Sequence, residues 1–183
     1  TSAFVIGIYS SNNDVSSLPT SADGITLTSE SGTHESVSIL GNTIQDVFIG
    51  IYFRGYNDPA YPPVLYDQNI VIGMPSSGNI IRNYGGNVAS VTCGIYLNYI
   101  TSPNVSYNTI NNASSGTNAT STLYGIYMPQ PSGGGDIIIN DNNITLGQGS
   151  TSTANCIFLN TYFNSINIAN NTFGYGTFAS TSY

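Results

Sequence analysis

The stretch LYGIYMP at residues 123–129 has four relatives elsewhere in the chain. They are VIGIYSS at 5–11, FIGIYFR at 48–54, TCGIYLN at 92–98 and NCIFLNT at 155–161. The glycine of this motif lies at Gly7, Gly50, Gly94 and Gly125, and Cys156 takes the equivalent place before Ile157. Successive copies are 43, 44, 31 and 31 residues apart. A motif that returns at such intervals indicates an array of similar structural units.

A second motif alternates with the first and consists of an asparagine, any residue and an apolar residue. Its asparagines are Asn42, Asn79, Asn108, Asn142 and Asn171. Short alternating apolar stretches such as 137–139 and 166–168 precede most copies, and no window has the periodicity of a helix. Each unit therefore contains at least two short strands, and such units must stack to bury their apolar side chains. The pattern predicts an all-β solenoid of about five coils.

Stacking would place equivalent residues above one another at the ~4.8 Å spacing of paired strands. Because side chains alternate along a strand, the isoleucine after the glycine is predicted to point inward and the next residue outward. The inward column comprises Ile8, Ile51, Ile95, Ile126 and Ile157, and the outward aromatic column comprises Tyr9, Tyr52, Tyr96, Tyr127 and Phe158. The asparagines of the second motif suit tight turns, because Asn tolerates left-handed backbone, and they could form a hydrogen-bonded ladder.

The composition limits the kinds of partner that this chain can have. Charged residues make up 6% of the chain, against roughly 25% in an average globular protein. The net charge is −7 and the two basic residues are Arg54 and Arg82, which argues against nucleic acid and anionic lipid surfaces. No apolar run reaches the ~20 residues of a membrane helix, so membrane insertion is not expected. We expect a single domain over residues 1–183, as a piece of a longer extracellular protein.

The segments VSYNTINN (105–112), DIIINDNNI (136–144) and INIANNTF (166–173), each followed or preceded by the glycine-isoleucine strand, resemble a known family. They are similar to repeats of the right-handed, single-stranded parallel β-helices of the pectin-lyase-like superfamily. The resemblance is greatest to the Asn/Thr/Ser-rich repeats of large secreted bacterial surface proteins. It covers about residues 36–175, with a partial coil at 3–9, and it implies an extracellular or cell-surface location.

The same superfamily contains polysaccharide lyases and hydrolases, so the resemblance also raises an enzymatic hypothesis. The hydrolase motifs Asn-Thr-Asp and Gly-His-Gly are absent from this sequence. A lyase needs a basic residue near clustered carboxylates, and the sequence offers such a group in Arg54, Asp58 and Asp67. These residues lie in a Pro-rich loop insertion at 54–69, which we interpret either as a small binding or catalytic site or as a covering loop.

Other polar residues have simpler interpretations. Asp136 and Asp141 flank a strand and could be a carboxylate pair for glycoside hydrolysis, but turn residues explain them better. His34 and Glu35 form a polar pair near a strand start, which a solvated turn explains as well as a catalytic role does. Cys93 and Cys156 are predicted to be two buried thiols, since a separation of two coils is too long for a disulfide. No metal-ligand spacing or phosphate-binding loop is present, so no cofactor or metal is expected.

Three functional hypotheses remain open. The first is a non-catalytic structural or adhesive module, whose partners are neighbouring copies of the same protein or the rest of a filament or giant surface protein. The second is a β-helix that binds or degrades polysaccharides through the outward aromatic column and the Arg54 loop, since aromatic rings can stack on sugars. The third is ice binding through flat Thr/Ser rows, suggested by the stretches 26–28 and 151–153.

Overall fold

The protein is described from a computed structural model that covers residues 5–11, 34–55, 66–85, 91–112, 122–129, 134–147, 153–160 and 162–175. All regular elements in these parts are β-strands that pair in parallel, and they form three large sheets and one small one. Within the described residues the chain visits the three large sheets in a repeating order, which is the topology of a parallel β-solenoid.

Each large sheet contains five strands. The first sheet carries the glycine-isoleucine motif in β1 (Ile6–Ser11), β4 (Ile49–Arg54), β8 (Thr92–Asn98), β12 (Leu123–Met128) and β15 (Ala154–Leu159). The second consists of β2 (Ser38–Ile39), β6 (Val71–Ile72), β10 (Asn104–Ser106), β13 (Asp136–Asn140) and β16 (Ser165–Ala169). The third consists of β3 (Thr43–Val47), β7 (Ile80–Tyr84), β11 (Thr109–Asn111), β14 (Asn143–Leu146) and β17 (Thr172–Tyr175).

A small two-stranded sheet lies at the corner between the first and second sheets. It is formed by β5 (Asp67–Gln68) and β9 (Ile100–Thr101). Glu35 extends it by an isolated parallel bridge to Gln68.

The stack amounts to about three turns, so the expectation of about five coils is wrong. Five strands per sheet were inferred from five copies of each motif, but a strand at either end of a sheet has a neighbour on one side only. Three strands in each sheet have hydrogen-bonded neighbours on both sides, among the residues described. At the ends, Ile8 of β1 is only partly buried, and Ile166 of β16 and Phe173 of β17 are exposed, so the end copies of the motifs do not form fully buried turns.

The predicted inward column is present in the first sheet. Ile8, Ile51, Ile95, Ile126 and Ile157 are paired directly from strand to strand, and the three middle ones are fully buried. The other two sheets contribute matching columns, with Ile72, Val105 and Ile139 in the second and Ile81, Ile110 and Ile144 in the third. Burying one such side chain stabilises a fold by about 1.5–3 kcal/mol, so the three columns together form the core.

The motif's glycines face the third sheet. A methyl group added at Gly50 would lie 2.5 Å from Cγ2 of Ile81, and one added at Gly94 would lie 2.5 Å from Cγ2 of Ile110. The register pairs of the first sheet leave out each glycine, and one residue stands between the paired residues on both strands. The glycine therefore leaves room inside the coil for the apolar residue of the asparagine motif.

Candidate functional site

The outward aromatic column exists as one file along the first sheet. Tyr9, Tyr52, Tyr96, Tyr127 and Phe158 occupy the same register position in β1, β4, β8, β12 and β15. The Tyr52 and Tyr96 rings are parallel, with centroids 4.4 Å apart and an interplanar angle of 3°. Tyr9 stacks on Tyr52 at 5.3 Å and 15°. The column thus begins as a flat stack of rings at the end formed by β1.

The farther half of the column is less regular. The Tyr96 and Tyr127 rings are tilted by 57°, and those of Tyr127 and Phe158 by 45°. Tyr124, three residues before Tyr127, stacks on it with centroids 4.1 Å apart. Two outward residues so close in sequence can meet because the two residues between them, Gly125 and Ile126, both face the interior.

Tyr124 was not among the sequence-based candidates, although a signal existed. It precedes Gly125 as Cys93 precedes Gly94, and the two residues are paired in register. Ile49, Cys93 and Tyr124 form a second buried apolar cluster, which we call the outer cluster, with Tyr52, Tyr96, Tyr127 and Phe158 packed against it. Four of the five predicted column members are therefore partly buried, and Tyr9 is the exposed one, with 57% of its surface accessible.

Burial raises the pKa of several ionisable groups on this surface. It raises the pKa of Tyr96 to about 12, with a further contribution from Tyr52. Burial also raises the pKa of the Cys93 thiol far above its usual value. A thiol with a raised pKa carries almost no thiolate at neutral pH, so Cys93 has the properties of a structural residue.

The two cysteines do not pair with each other. Cys93 is buried and Cys156 is half-buried, and both are free thiols in the structure. Cys156 lies at the glycine position of β15, where its neighbour in β12 is Gly125.

The structure describes part of the predicted loop site. Asp58 and the rest of 56–65 lie outside the described residues. The Arg54 guanidinium lies over the Tyr99 ring, 5.6 Å from its centroid, which is a cation–π contact. Burial opposes the charge of Arg54, but its hydrogen bond to Tyr52 and the nearby phenols give a net rise in its pKa. Its Nε atom is buried without a hydrogen-bond partner among the described residues.

Asp67 lies at the same corner, but it points into the solenoid. It is fully buried, pairs in register with the buried Ile100, and accepts a hydrogen bond of 2.8 Å from the His34 backbone N–H. The His34 ring packs edge-on against Phe53. His34 and Glu35 therefore belong to the strand bridge at the corner, where the His34 backbone bonds to Gln68 and Asp67.

Asp136 and Asp141 are too far apart to act as a glycosidase pair. They lie five residues apart, with Asp136 at one end of β13 and Asp141 just beyond the other, which is roughly 16 Å at 3.3 Å per residue. The carboxyl groups of such pairs are about 5–10 Å apart. Asp136 accepts a hydrogen bond from the Ser165 hydroxyl at 2.7 Å, and Asp141 lies near the Tyr107 phenol, whose pKa it raises.

The asparagine ladder is continuous. Each ladder asparagine donates from its backbone N–H, at 3.0–3.1 Å, and from its side-chain Nδ2, at 2.9–3.0 Å, to the side-chain oxygen of the next. The members are Asn42, Asn79, Asn108, Asn142 and Asn171, and the middle three are buried. Their Nδ2 groups also donate to backbone carbonyls such as those of Ile39, Ile72 and Val105.

The left-handed backbone of these turns does not fall on the ladder asparagines. It falls on the residue before, at Gly41, Tyr107, Asp141 and Asn170, with φ between 55° and 66°. Asparagine suits this position because of its side-chain amide. The amide can accept hydrogen bonds from the preceding turn and donate one to the following turn.

Some sequence-based candidates cannot be placed. The Thr-rich stretch 26–28 lies outside the described residues, as do the first two residues of 151–153. Across the described ranges, His, Cys, Asp and Glu side chains form no group of three or more that could hold a metal ion. In the same part of the chain, no helix is long and apolar enough to cross a membrane.

No protein-family model, no curated protein and no solved structure matches this chain. The parallel β-solenoid implied by the predicted resemblance is confirmed by the strand pairing. Membership of a particular family stays a prediction.

Proposed function

We propose that this chain is a non-catalytic structural or adhesive module of an extracellular β-solenoid, within a large cell-surface protein or a filament. The observation that carries the proposal is the asparagine ladder. Its buried amides bond from turn to turn along the whole stack, so the polar side chains in the interior serve cohesion between turns. A fully satisfied buried network of this kind makes a fold rigid and specific.

We further propose that the solenoid is a right-handed, single-stranded β-helix of the pectin-lyase-like type. The support is its three-sheet repeat and the turn asparagine between the second and third sheets, together with the segments that resemble this superfamily. An extracellular location is supported by the scarcity of charge and by two basic residues in 183, which leave trypsin few sites.

The residues considered for catalysis have structural partners. Asp136 bonds to Ser165, the Asp67 carboxylate bonds to the His34 backbone, and Arg54 rests on Tyr99. These contacts favour the structural interpretation of each residue over a catalytic one.

The test combines adhesion with enzymology. Beads coated with the purified chain are measured for attachment to cell and mineral surfaces, and the soluble chain is incubated with pectin, alginate and β-glucans while reducing ends and unsaturated products are assayed. We expect attachment and no product release. Steady product release that a mutation at Arg54 or Asp67 abolishes would overturn the proposal.

Polysaccharide binding is the second candidate, and the stacked Tyr9, Tyr52 and Tyr96 rings favour it. Near-parallel rings in a row offer a surface on which sugar rings can stack. A glycan array with the native chain and a Tyr9→Ser variant tests it. Saturable binding that the variant loses supports this candidate, and the absence of any bound glycan removes it.

A further inference from the structure

One exposed asparagine has a sequence context that the structural role does not use. Asn143 is followed by Ile144 and Thr145, which is the Asn-x-Ser/Thr acceptor sequence for N-linked glycans. Asp141 stands two residues before it, so the segment reads Asp-Asn-Asn-Ile-Thr. Bacterial oligosaccharyltransferases require an acidic residue at this place as well, where its carboxylate pairs with a basic side chain of the enzyme. Asp and Glu are only 9 of the 183 residues, so an acid at this place is uncommon by chance.

The other Asn-x-Ser/Thr sequences of the chain lack this acid. Their asparagines are Asn104, Asn112, Asn118 and Asn170. Asn118 lies outside the described residues. Asn112 is buried, and its side-chain amide both donates to and accepts from the Gly147 backbone. The side-chain oxygen of Asn104 accepts a hydrogen bond from the serine hydroxyl of its own acceptor sequence. Asn170 is exposed, and it serves below as the matched control.

The fold leaves the Asn143 side chain at the surface. Asn143 is the first residue of β14 and lies on the outer face of the third sheet, between the exposed Thr109 and Thr172 of the neighbouring strands. Its side-chain amide makes no hydrogen bond to any described residue, whereas the amide of the adjacent Asn142 is buried in the ladder. A glycan on the Asn143 Nδ2 therefore displaces no hydrogen bond of the fold.

The two residues that define the acceptor sequence are also accessible. Thr145 lies two residues along β14 on the same face, and its neighbour in β17 is Gly174, which has no side chain to cover the threonine hydroxyl. Asp141 is half-buried in the turn before β14, and the Tyr107 phenol beside it is itself exposed. The carboxylate, the acceptor amide and the hydroxyl thus lie at the surface along one short segment.

We propose that Asn143 is the acceptor of an N-linked glycan, which a transferase adds from a lipid-pyrophosphate-linked oligosaccharide as the chain is exported. The Asn143 Nδ2 forms a bond to C1 of the first sugar and loses a proton. The bond from C1 to the pyrophosphate oxygen breaks, and the lipid pyrophosphate leaves with the electron pair. The inference rests on the proposed extracellular location, since such transferases act on exported chains. The glycan projects from the third sheet and leaves the outward aromatic column on the first sheet uncovered.

Export of the chain to the periplasm of a bacterial host tests the proposal. The host carries an acid-requiring oligosaccharyltransferase and its lipid-linked oligosaccharide, and a host with an inactive transferase is the control. Mass spectrometry of the purified, denatured chain should show one added oligosaccharide, which peptide fragmentation places on Asn143. Asn143→Gln and Thr145→Ala abolish the addition. Asp141→Asn lowers the glycosylated fraction about tenfold, because it removes a charged contact with the transferase. Asn170→Gln, at an exposed acceptor sequence without the acid, leaves the glycosylated fraction unchanged.

A wild type that gains no mass in the active host would overturn the proposal, and so would a glycan that persists in Asn143→Gln. Because the chain is denatured before measurement, a variant that folds poorly is still read. Failure here is separable from failure of the proposed function. An unglycosylated chain that still adheres removes the glycan site alone, whereas a glycosylated chain that degrades polysaccharide removes the structural role alone.

Discussion

Asn108 has more side-chain hydrogen bonds than its neighbours in the ladder. Its Nδ2 group donates to the carbonyls of Ile72 and Ser106 and to Asn142, and its Oδ1 accepts from both the backbone and the side chain of Asn79. All of these groups are buried, so removing the amide leaves several polar atoms without partners.

We expect Asn108→Ala to lower the free energy of unfolding by about 2–4 kcal/mol, because each unsatisfied buried group costs about 1–3 kcal/mol. Urea unfolding followed by circular dichroism measures it. Asn143→Ala is the matched control: Asn143 is exposed in the next turn, so its loss should change stability by less than about 0.5 kcal/mol. Equal losses of unfolding free energy in the two variants would show that the ladder asparagine stabilises the fold no more than an exposed asparagine does.

Tyr84 predicts a pH dependence at alkaline pH. Its hydroxyl donates to the Tyr124 carbonyl at 2.8 Å, and burial, assisted by Cys93 and Cys156, raises its pKa well above the usual value. The unfolded phenol has a pKa near ~10. The neutral folded form therefore gives stability that is fully present below pH ~10 and is lost as pH rises from ~10 toward the folded pKa.

Between the unfolded and the folded pKa, one such group lowers the free energy of unfolding by about 1.4 kcal/mol for each pH unit of increase. We expect the difference in stability between wild type and Tyr84→Phe to be about 1 kcal/mol at pH 7, from the lost hydrogen bond. It should shrink and reverse between pH ~10 and 12, as measured by urea midpoints. A constant difference up to pH 12 would contradict the burial of this hydroxyl.

At the scale of elements, the two sequence motifs interlock. A methyl group at Gly125 would lie 2.6 Å from Cγ2 of Ile144, and one at Gly94 would lie 2.5 Å from Cγ2 of Ile110. The fifth copy carries Cys156 in the glycine position, and there the asparagine motif supplies Phe173 in place of isoleucine. The turn that has a side chain at the glycine position therefore has no β-branched residue facing that position from the third sheet.

We expect Gly94→Ala to destabilise the fold by about 1–3 kcal/mol, as overpacking does. Ile110→Ala alone should cost about 2–5 kcal/mol, because it leaves a cavity. If the two side chains compete for one space, the double variant costs less than the sum, by about 0.5–3 kcal/mol. Simple additivity in thermal or urea unfolding would contradict the interlock.

Adjacent residues of β12 should respond differently to substitution. Ile126 is fully buried, and Ile126→Asp places an unpaired charge in the core at a cost of more than about 4 kcal/mol. Tyr127→Ser, one residue along, removes a partly buried ring that packs against the outer cluster and should leave the fold intact. Melting curves of the two variants distinguish them, and normal melting of Ile126→Asp would contradict the inward assignment.

Sequence reasoning located the columns because every copy of a motif repeats the same local pattern. It could not locate the interlock between Gly94 and Ile110. The connections between the motifs vary in length, so the sequence does not show which glycine faces which isoleucine. The burial of Asp67 was also missed, since an aspartate in a Pro-rich stretch is typical of an exposed loop. Tyr124 was missed because strict alternation along a strand would place it on the face opposite Tyr127.

At the scale of the whole molecule, each turn is supported by the turns on either side. Ile51, Ile72 and Ile81 lie in strands with neighbours on both sides and are fully buried. The core positions of the edge strands β16 and β17 are exposed. Stability in such an array is roughly the sum of contacts between adjacent turns. The number of motif copies overestimated the number of turns because it counted the incompletely buried end copies as full turns.

Amide hydrogen exchange by mass spectrometry, on the wild type and Asn108→Ala, tests most directly whether the turns stabilise one another. We expect the slowest exchange in β7, β8, β11 and β12 and faster exchange in β16 and β17. In Asn108→Ala, protection should fall in the turns containing Asn79 and Asn142 as well as in the mutated turn. Loss of protection confined to residues next to position 108, with equal rates in middle and edge strands, would contradict a cooperative stack.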